Sequence, residues 1–211
     1  MHARLFLLAL SCVLAGSGQS AAQQAPTLKA PPPEASQFDF LLGEWTVEVS
    51  SKAPGAPPRY HGVWRAAKTL NGLGIVDEYR VADDSGRIVY AGITLRVFDT
   101  KAARWTMRYV DELAGETGPW AQLVGVKQDA EMRVEQRWQA PDGRTAILRI
   151  RYYDIQPEHF RWAADRSGDG GASWVRDYLR IEASRRASTP RVAEANRRDA
   201  RNVAIPRTDS S

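Results

Sequence analysis

Apolar residues return at every second position through most of the chain between residues 37 and 183. Trp45, Val47 and Val49 alternate with Thr46, Glu48 and Ser50; Met132, Val134 and Trp138 alternate with Arg133, Glu135 and Arg137; Ala146, Leu148, Ile150 and Tyr152 lie opposite Arg149 and Arg151. A period of two sends successive side chains to opposite faces, the signature of half-buried strands. Further runs rich in Val, Ile, Tyr, Trp and Thr, at 59–67, 74–82, 87–98, 104–111, 118–127, 158–165 and 173–183, bring the expected number of strands to about ten. Turn formers separate them, among them Asn71-Gly72, Asp83-Asp84-Ser85-Gly86, Pro141-Asp142-Gly143 and Asp169-Gly170-Gly171. Such residues tolerate positive φ, so consecutive strands fold back as hairpins. An open sheet of this width would leave two long exposed edges, and closure removes both. The expected fold is therefore all-β, an antiparallel up-and-down barrel. One short helix is expected around Ser36 to Leu42, with Ser36 as its cap and Phe38, Leu41 and Leu42 on one face.

The two ends of the chain have other compositions. Residues 1–22 carry Arg4, an apolar run from Leu5 to Leu14 and the small residues Ser20-Ala21-Ala22, the pattern of a cleaved export signal. Export places the protein in the periplasm or outside the cell. Cys12 offers a lipoprotein alternative, but Ala9 stands where a lipobox needs a branched aliphatic residue, and cleavage there would cut the apolar run short. Residues 23–36, with Pro31-Pro32-Pro33, read as an extended linker. From 184 to 211 the chain has seven Arg against three acids and no Phe, Trp, Tyr, Leu or Met, so a disordered basic tail is expected. With that tail set aside, the body at 37–183 is close to neutral, and no specific nucleic-acid partner is expected. Cys12 is the only cysteine. A mature chain without it has no disulfide, no thiol nucleophile and no cysteine-bound zinc. Beyond the signal no apolar run is long enough to span a membrane as a helix.

Four stretches carry a resemblance: FDFLLGEW at 38–45, DEYR at 77–80, VFD-x-x-x-x-RW at 97–105, and S-x-DGG-x-SW at 167–174 before a final short strand. Together they resemble a family of secreted bacterial calycin-like domains of unknown function, a group related to the lipocalin and fatty-acid-binding barrels. The resemblance implies that Gly43-x-Trp45 opens the first strand, that Trp45 plugs one end of the barrel, and that a late-strand arginine stacks on it. Arg180, in DYLRIEA, would fill that place. Nitrobindin-like relatives bind haem through a histidine, so His61 and His159 are candidates. Both are out of phase with the neighbouring aromatic residues and are expected to point outward, and no cofactor is assigned.

Ser167-x-Asp169-x-Gly171-x-Ser173-Trp174 also resembles the Asp-box of sialidases, but that box repeats once per propeller blade and here it occurs once. It is expected to be a hairpin turn between the last two strands. Asp165, Ser167 and Asp169 match the opening of an EF-hand loop, yet Arg176 stands where the loop needs its bidentate Glu, so no metal site is assigned.

No nucleophile elbow, P-loop, dinucleotide fingerprint or zincin pair occurs, which argues against an enzyme, and no catalytic residue is assigned. Phase places Trp64, Asp77, Tyr79, Tyr109, Trp120, Trp138 and Trp162 inside the barrel, where an aromatic wall with one carboxylate suits a small apolar ligand. Two alternatives remain open: an isomerase or lyase using Asp77 as general base beside Tyr79, and an envelope protein that binds partners through its outer face and basic tail and has a filled interior. The sequence carries no signal of oligomeric state.

Overall fold

The computed structural model describes residues 28–54, 59–113 and 116–187. The export segment, the first part of the linker and the tail beyond residue 187 lie outside the described residues. The strands are β1 (Gly43–Ser51), β2 (Tyr60–Thr69), β3 (Gly74–Ala82), β4 (Ile88–Asp99), β5 (Arg104–Leu113), β6 (Glu116–Thr117), β7 (Ala121–Gln128), β8 (Glu131–Gln139), β9 (Thr145–Tyr153), β10 (His159–Ser167) and β11 (Val175–Arg185). Each is antiparallel to its neighbours, and β11 returns to β1, so the sheet closes. Ten strands are staves of this barrel, with β5 pairing directly to β7; the two residues of β6 only extend β5 at its edge.

Alternation divides most staves as expected, while in β10 the run from Trp162 to Asp165 is buried on both faces. Trp45, Val47 and Val49 on β1, and Ile75, Asp77 and Val81 on β3, are buried inside, while Glu48, Val76 and Arg80 face out. Most strand boundaries shift by one to three residues from the sequence reading, and two of the shifts move residues of interest. The strand expected from 118 starts at Ala121, and the last strand continues to Arg185, two residues into the expected tail.

Successive strands run up and down, so the barrel has two ends: a floor, where β1 begins, and a mouth, where β1 ends. Two 3-10 turns, Pro33–Ser36 and Asp39–Leu41, cover the floor in place of the single helix expected there. Ser36 does not cap; its hydroxyl donates back to the Pro33 carbonyl at 2.6 Å. Residues 33–36 form a 3-10 turn and not an extended linker, because Pro33 presets the turn, Ala35 is buried, and Lys68 Nζ donates to the Ala35 carbonyl at 3.1 Å.

Phe38 and Leu41, delivered by these turns, meet the barrel's densest aromatic packing. Phe38 stands edge-on to Trp105 at 5.1 Å and to Tyr152 at 5.4 Å, and Trp45 is edge-on to Phe160 at 4.8 Å. Each such pair adds roughly 0.5–1.5 kcal/mol beyond the burial of its area. Trp45 closes the floor, and its Nε1 donates to the Leu41 carbonyl at 2.8 Å.

The arginine stacked on Trp45 is Arg185, not Arg180. Its guanidinium lies 4.1 Å from the ring centroid, directly across the ladder, and donates to the carbonyls of Pro157 at 2.6 Å and Leu42 at 2.9 Å. Gly43 makes room for it: with φ at +101°, a Cβ there would lie 3.1 Å from Arg185 Nη1. Arg180 pairs in register with Ser50, near the mouth, and reaches Asp177 at 3.5 Å on the outer face. The expected position failed because the strand runs five residues beyond Arg180, and only its last residue reaches Trp45.

Candidate functional site

Rings inside the barrel form a ladder from floor to mouth. Phe160 meets Trp64 at 5.7 Å, Trp64 meets Tyr79 at 5.4 Å, and Tyr79 meets Tyr90 at 6.0 Å. Along this ladder the surroundings change from filled to open, and two carboxylates mark the two regimes.

Asp77 belongs to the lower half. It faces inward, as its phase required, and is 2 % exposed. Trp64 Nε1 donates to its Oδ1 at 2.9 Å, and Arg96 Nε lies 2.8 Å from Oδ2 without hydrogen-bond alignment. Arg96 is itself 3 % exposed, with its guanidinium over Phe38 at 5.1 Å and Tyr152 at 5.8 Å. Burial pushes the Asp77 carboxyl up, and the Arg96 charge and the Trp64 hydrogen bond pull against that rise. Burial, the largest influence on Arg96, lowers it, but Asp77 and Tyr152 together, by charge and hydrogen bond, outweigh burial and hold the guanidinium above its ordinary value. This is an internal ion pair with both members engaged by the core. No sequence signal singled out Arg96, although Thr94, Arg96 and Phe98 share the inward phase of β4.

Asp111 belongs to the mouth. Its Oδ2 accepts from the Tyr90 hydroxyl at 3.1 Å and the Tyr109 hydroxyl at 3.3 Å. Tyr109 leans across β4 because Gly92 has no side chain; a Cβ there would lie 2.9 Å from the Tyr109 ring. Burial first, and then the Asp111 charge, push the Tyr90 hydroxyl above the ordinary phenol range, and burial alone does so for Tyr79. Both phenols therefore stay neutral hydrogen-bond donors at neutral pH. Tyr79, Tyr90, Tyr109, Asp111 and Trp138 point inward yet are only half-buried. Inward side chains that keep accessible surface line an opening.

Of the residues expected to line the interior, Trp64 and Trp162 are buried in the core, Asp77 is in the ion pair, and Tyr79, Tyr109 and Trp138 stand at the mouth. Trp120 does not line the interior: it precedes β7 and is 64 % exposed. Tyr90 and Asp111 were missed. Asp111 was read as the end of a strand, but Trp105, Met107, Tyr109 and Asp111 keep one phase, which was the available signal. His61 and His159 point outward as expected, the latter with Nε2 3.3 Å from Asp154.

The DGG turn is a hairpin between β10 and β11, held by its own side chains. Asp169 Oδ1 accepts from the Ser173 amide at 2.9 Å and the Ser167 hydroxyl at 2.8 Å, and Trp174 Nε1 donates to the Gly171 carbonyl at 3.0 Å. Arg176, in the place of an EF-hand glutamate, instead donates to Asp165 at 2.7 Å.

A concavity of about 740 Å³ lies on the outer wall of β7 to β10, floored by Val124 and Val126. Its guanidinium groups are already engaged: Arg133 with Glu131 at 2.8 Å, Arg149 with Glu135 at 3.1 Å, Arg151 with Asp177 at 2.6 Å and Arg176 with Asp165 at 2.7 Å. With its charges mutually satisfied, the outer cleft offers less to a ligand than the mouth.

No family model and no curated protein matches this chain. Solved structures do. The chain is similar to Rv2717c from M. tuberculosis, at 15% identity and a TM-score of 0.52 over 74% of this chain and 99% of that one. It is also similar to the S-type phycobiliprotein lyase CPES from Guillardia theta, at 12% identity and a TM-score of 0.51 over 75% of this chain and 100% of that one. Likeness at this level of identity establishes the fold, a calycin-like barrel.

Proposed function

We propose that the barrel is a receptor for a small, largely apolar molecule, admitted at the mouth between Tyr90, Tyr109 and Trp138. The observation that carries this reading is the half-burial of inward-facing aromatic side chains above a floor that is filled and plugged. A stack of rings with few polar groups holds a flat or acyl body by burial, and the Tyr79, Tyr90 and Tyr109 rings supply it. The calycin-like fold supports the reading by analogy, since barrels of this size have room for one small ligand. The run Leu5–Leu14 followed by Ser20-Ala21-Ala22 supports a receptor that works outside the cytoplasm.

The lyase among the similar structures is compatible with catalysis by Asp77 and Tyr79 without favouring it. Asp77 would have to leave both Trp64 and Arg96 to reach a substrate, which argues for a binding protein.

A neutral fluorescent probe, N-phenyl-1-naphthylamine, tests the proposal. The full chain should bind it saturably with a rise in emission, and Trp138→Ala and Tyr79→Ala should each weaken binding by about tenfold, the loss of one stacked ring. Failure of the unmodified chain to bind the probe, or binding by both variants as tight as that of the unmodified chain, overturns the proposal.

A further inference from the structure

We propose that the mouth selects an organic cation, a protonated or quaternary amine on an apolar body. This rests on the receptor reading above and names the class of its ligand.

The first ground is an unpaired charge. Asp111 is half-buried and faces the interior, and the side chains that hydrogen-bond to it, Tyr90 and Tyr109, are neutral donors. Among the described residues no Lys, Arg or His comes within ion-pair distance of it. Elsewhere the chain gives its inward or sheltered carboxylates a guanidinium: Asp77 meets Arg96 at 2.8 Å, Asp165 meets Arg176 at 2.7 Å, and Glu135 meets Arg137 at 2.6 Å. A carboxylate removed from water is costly unless a cation or several hydrogen bonds compensate it, so at Asp111 the missing cation is the natural complement of the site.

The second ground is the surroundings. Inward positions near Asp111 carry Tyr79, Tyr90, Tyr109 and Trp138, whose ring faces are the negative ends of their quadrupoles and attract a cation within about 6 Å. Further up, at the rim, β6 adds Glu116 in the inward phase opposite Leu113. Of the rim cations in inward phase among the described residues, Arg166 on β10 stands across the mouth and stacks on Tyr178 at 5.3 Å, and Arg144, just before β9, is held by Asp142 at 2.7 Å. Rings and carboxylate thus favour positive charge, while an anionic ligand would meet Asp111 with no nearby guanidinium to offset the repulsion.

The third ground is the preorganisation of Asp111. Two hydroxyls converge on one oxygen, and Gly92 leaves the space that lets Tyr109 take part. The other oxygen, Oδ1, lies against Gly118, where a Cβ would collide with it, so the carboxylate is fixed in direction, which favours a compact charged head over a mobile one.

Three ligands with one tail test the proposal: dodecyltrimethylammonium, dodecanol and dodecanoate, each titrated below its micelle concentration into the full chain at neutral pH, with heat and tryptophan emission recorded. The cation should bind about tenfold tighter than the alcohol, and the carboxylate more weakly than either. In Asp111→Asn, which keeps an acceptor for both tyrosines, the cation and the alcohol should bind within about twofold of each other. If the alcohol or the carboxylate matches the cation on the unmodified chain, the cation proposal falls and the receptor reading stands. If none of the three binds saturably, both fall. The ranking on the unmodified chain decides the matter on its own should Asp111→Asn fail to fold.

Discussion

Asp77 and Asp111 both point into the same barrel, and their neighbours give them opposite characters. Asp77, in the lower half, is sealed between Trp64 and Arg96 with aromatic faces on the guanidinium. Asp111, at the mouth, has tyrosine hydroxyls for partners and access to water. An inward carboxylate is therefore not a site by virtue of direction alone. What separates a structural group from a recognition group is whether the fold itself supplies the counter-charge. The same contrast holds for the ends as wholes, since the floor is covered by Phe38, Leu41 and the Trp45–Arg185 stack, whereas the mouth presents half-buried rings.

The strongest way to break the comparison is to take away the counter-charge that the lower half has and the mouth lacks. Arg96→Ala leaves Asp77 buried without its cation and should cost about 3–5 kcal/mol of unfolding free energy, the range for breaking an internal pair. A paired exchange, Asp77→Asn with Arg96→Met, should recover much of that loss, because the penalty belongs to the orphaned charge and not to the absence of the pair. Urea unfolding of the two variants provides the measurement. An Arg96→Ala variant within about 1 kcal/mol of the parent would show that Asp77 is as accessible as Asp111, and the distinction would fail.

The floor offers a second, smaller lever. Arg185 joins three things at once, the Trp45 ring, the Leu42 carbonyl at the end of the covering turn, and the Pro157 carbonyl in the loop between β9 and β10. Arg185→Ala should cost on the order of 2 kcal/mol, from one cation–π contact and two hydrogen bonds. Arg180→Ala, on the outer face, should stay within about 0.5 kcal/mol of the parent. Equal effects of the two changes would undo the assignment of Arg185 as the closing residue.

These two arginines also show what was legible in the chain. Period-two alternation identified the staves and placed Asp77 and Tyr79 inward, because each face of a strand is visible in sequence. Alternation does not say how far a strand runs. The last strand was expected to stop at 183, so Arg185 fell into the tail and Arg180 took its role; the pairing of Arg185 with Trp45 is a fact of register between the first and last strands. Trp120 failed for the same reason at the other boundary, three residues having been assigned to β7 that precede it. Arg96 and Asp111 were hidden differently. Charged residues on an inward phase look like errors of phase until the partner strand is in place, and Arg96 meets Asp77 only across the β3–β4 ladder, just as Asp111 meets Tyr90 only across β4–β5.

The smallest expected effect concerns the hairpin beside the mouth, where a third carboxylate is neither buried nor unpartnered. Asp169 is exposed, and the Ser173 hydroxyl, then the Ser173 amide and the Ser167 hydroxyl, hold it well below its ordinary value of 3.8. A carboxyl depressed on folding contributes stability above its unfolded value and loses that contribution as the pH falls through the folded one. Asp169→Asn should therefore lower the Tm modestly above about pH 5, with the gap to the parent closing in acid as the parent's own carboxylate is protonated. Because the turn only joins β10 to β11, affinity for the neutral probe should be unaffected at every pH at which the barrel is folded. A gap in Tm that stays constant down to about pH 2 would mean that Asp169 acts through shape and not through its charge. Loss of probe binding in Asp169→Asn would extend the recognition surface from Asp111 to the hairpin and redraw the boundary between the mouth and its frame.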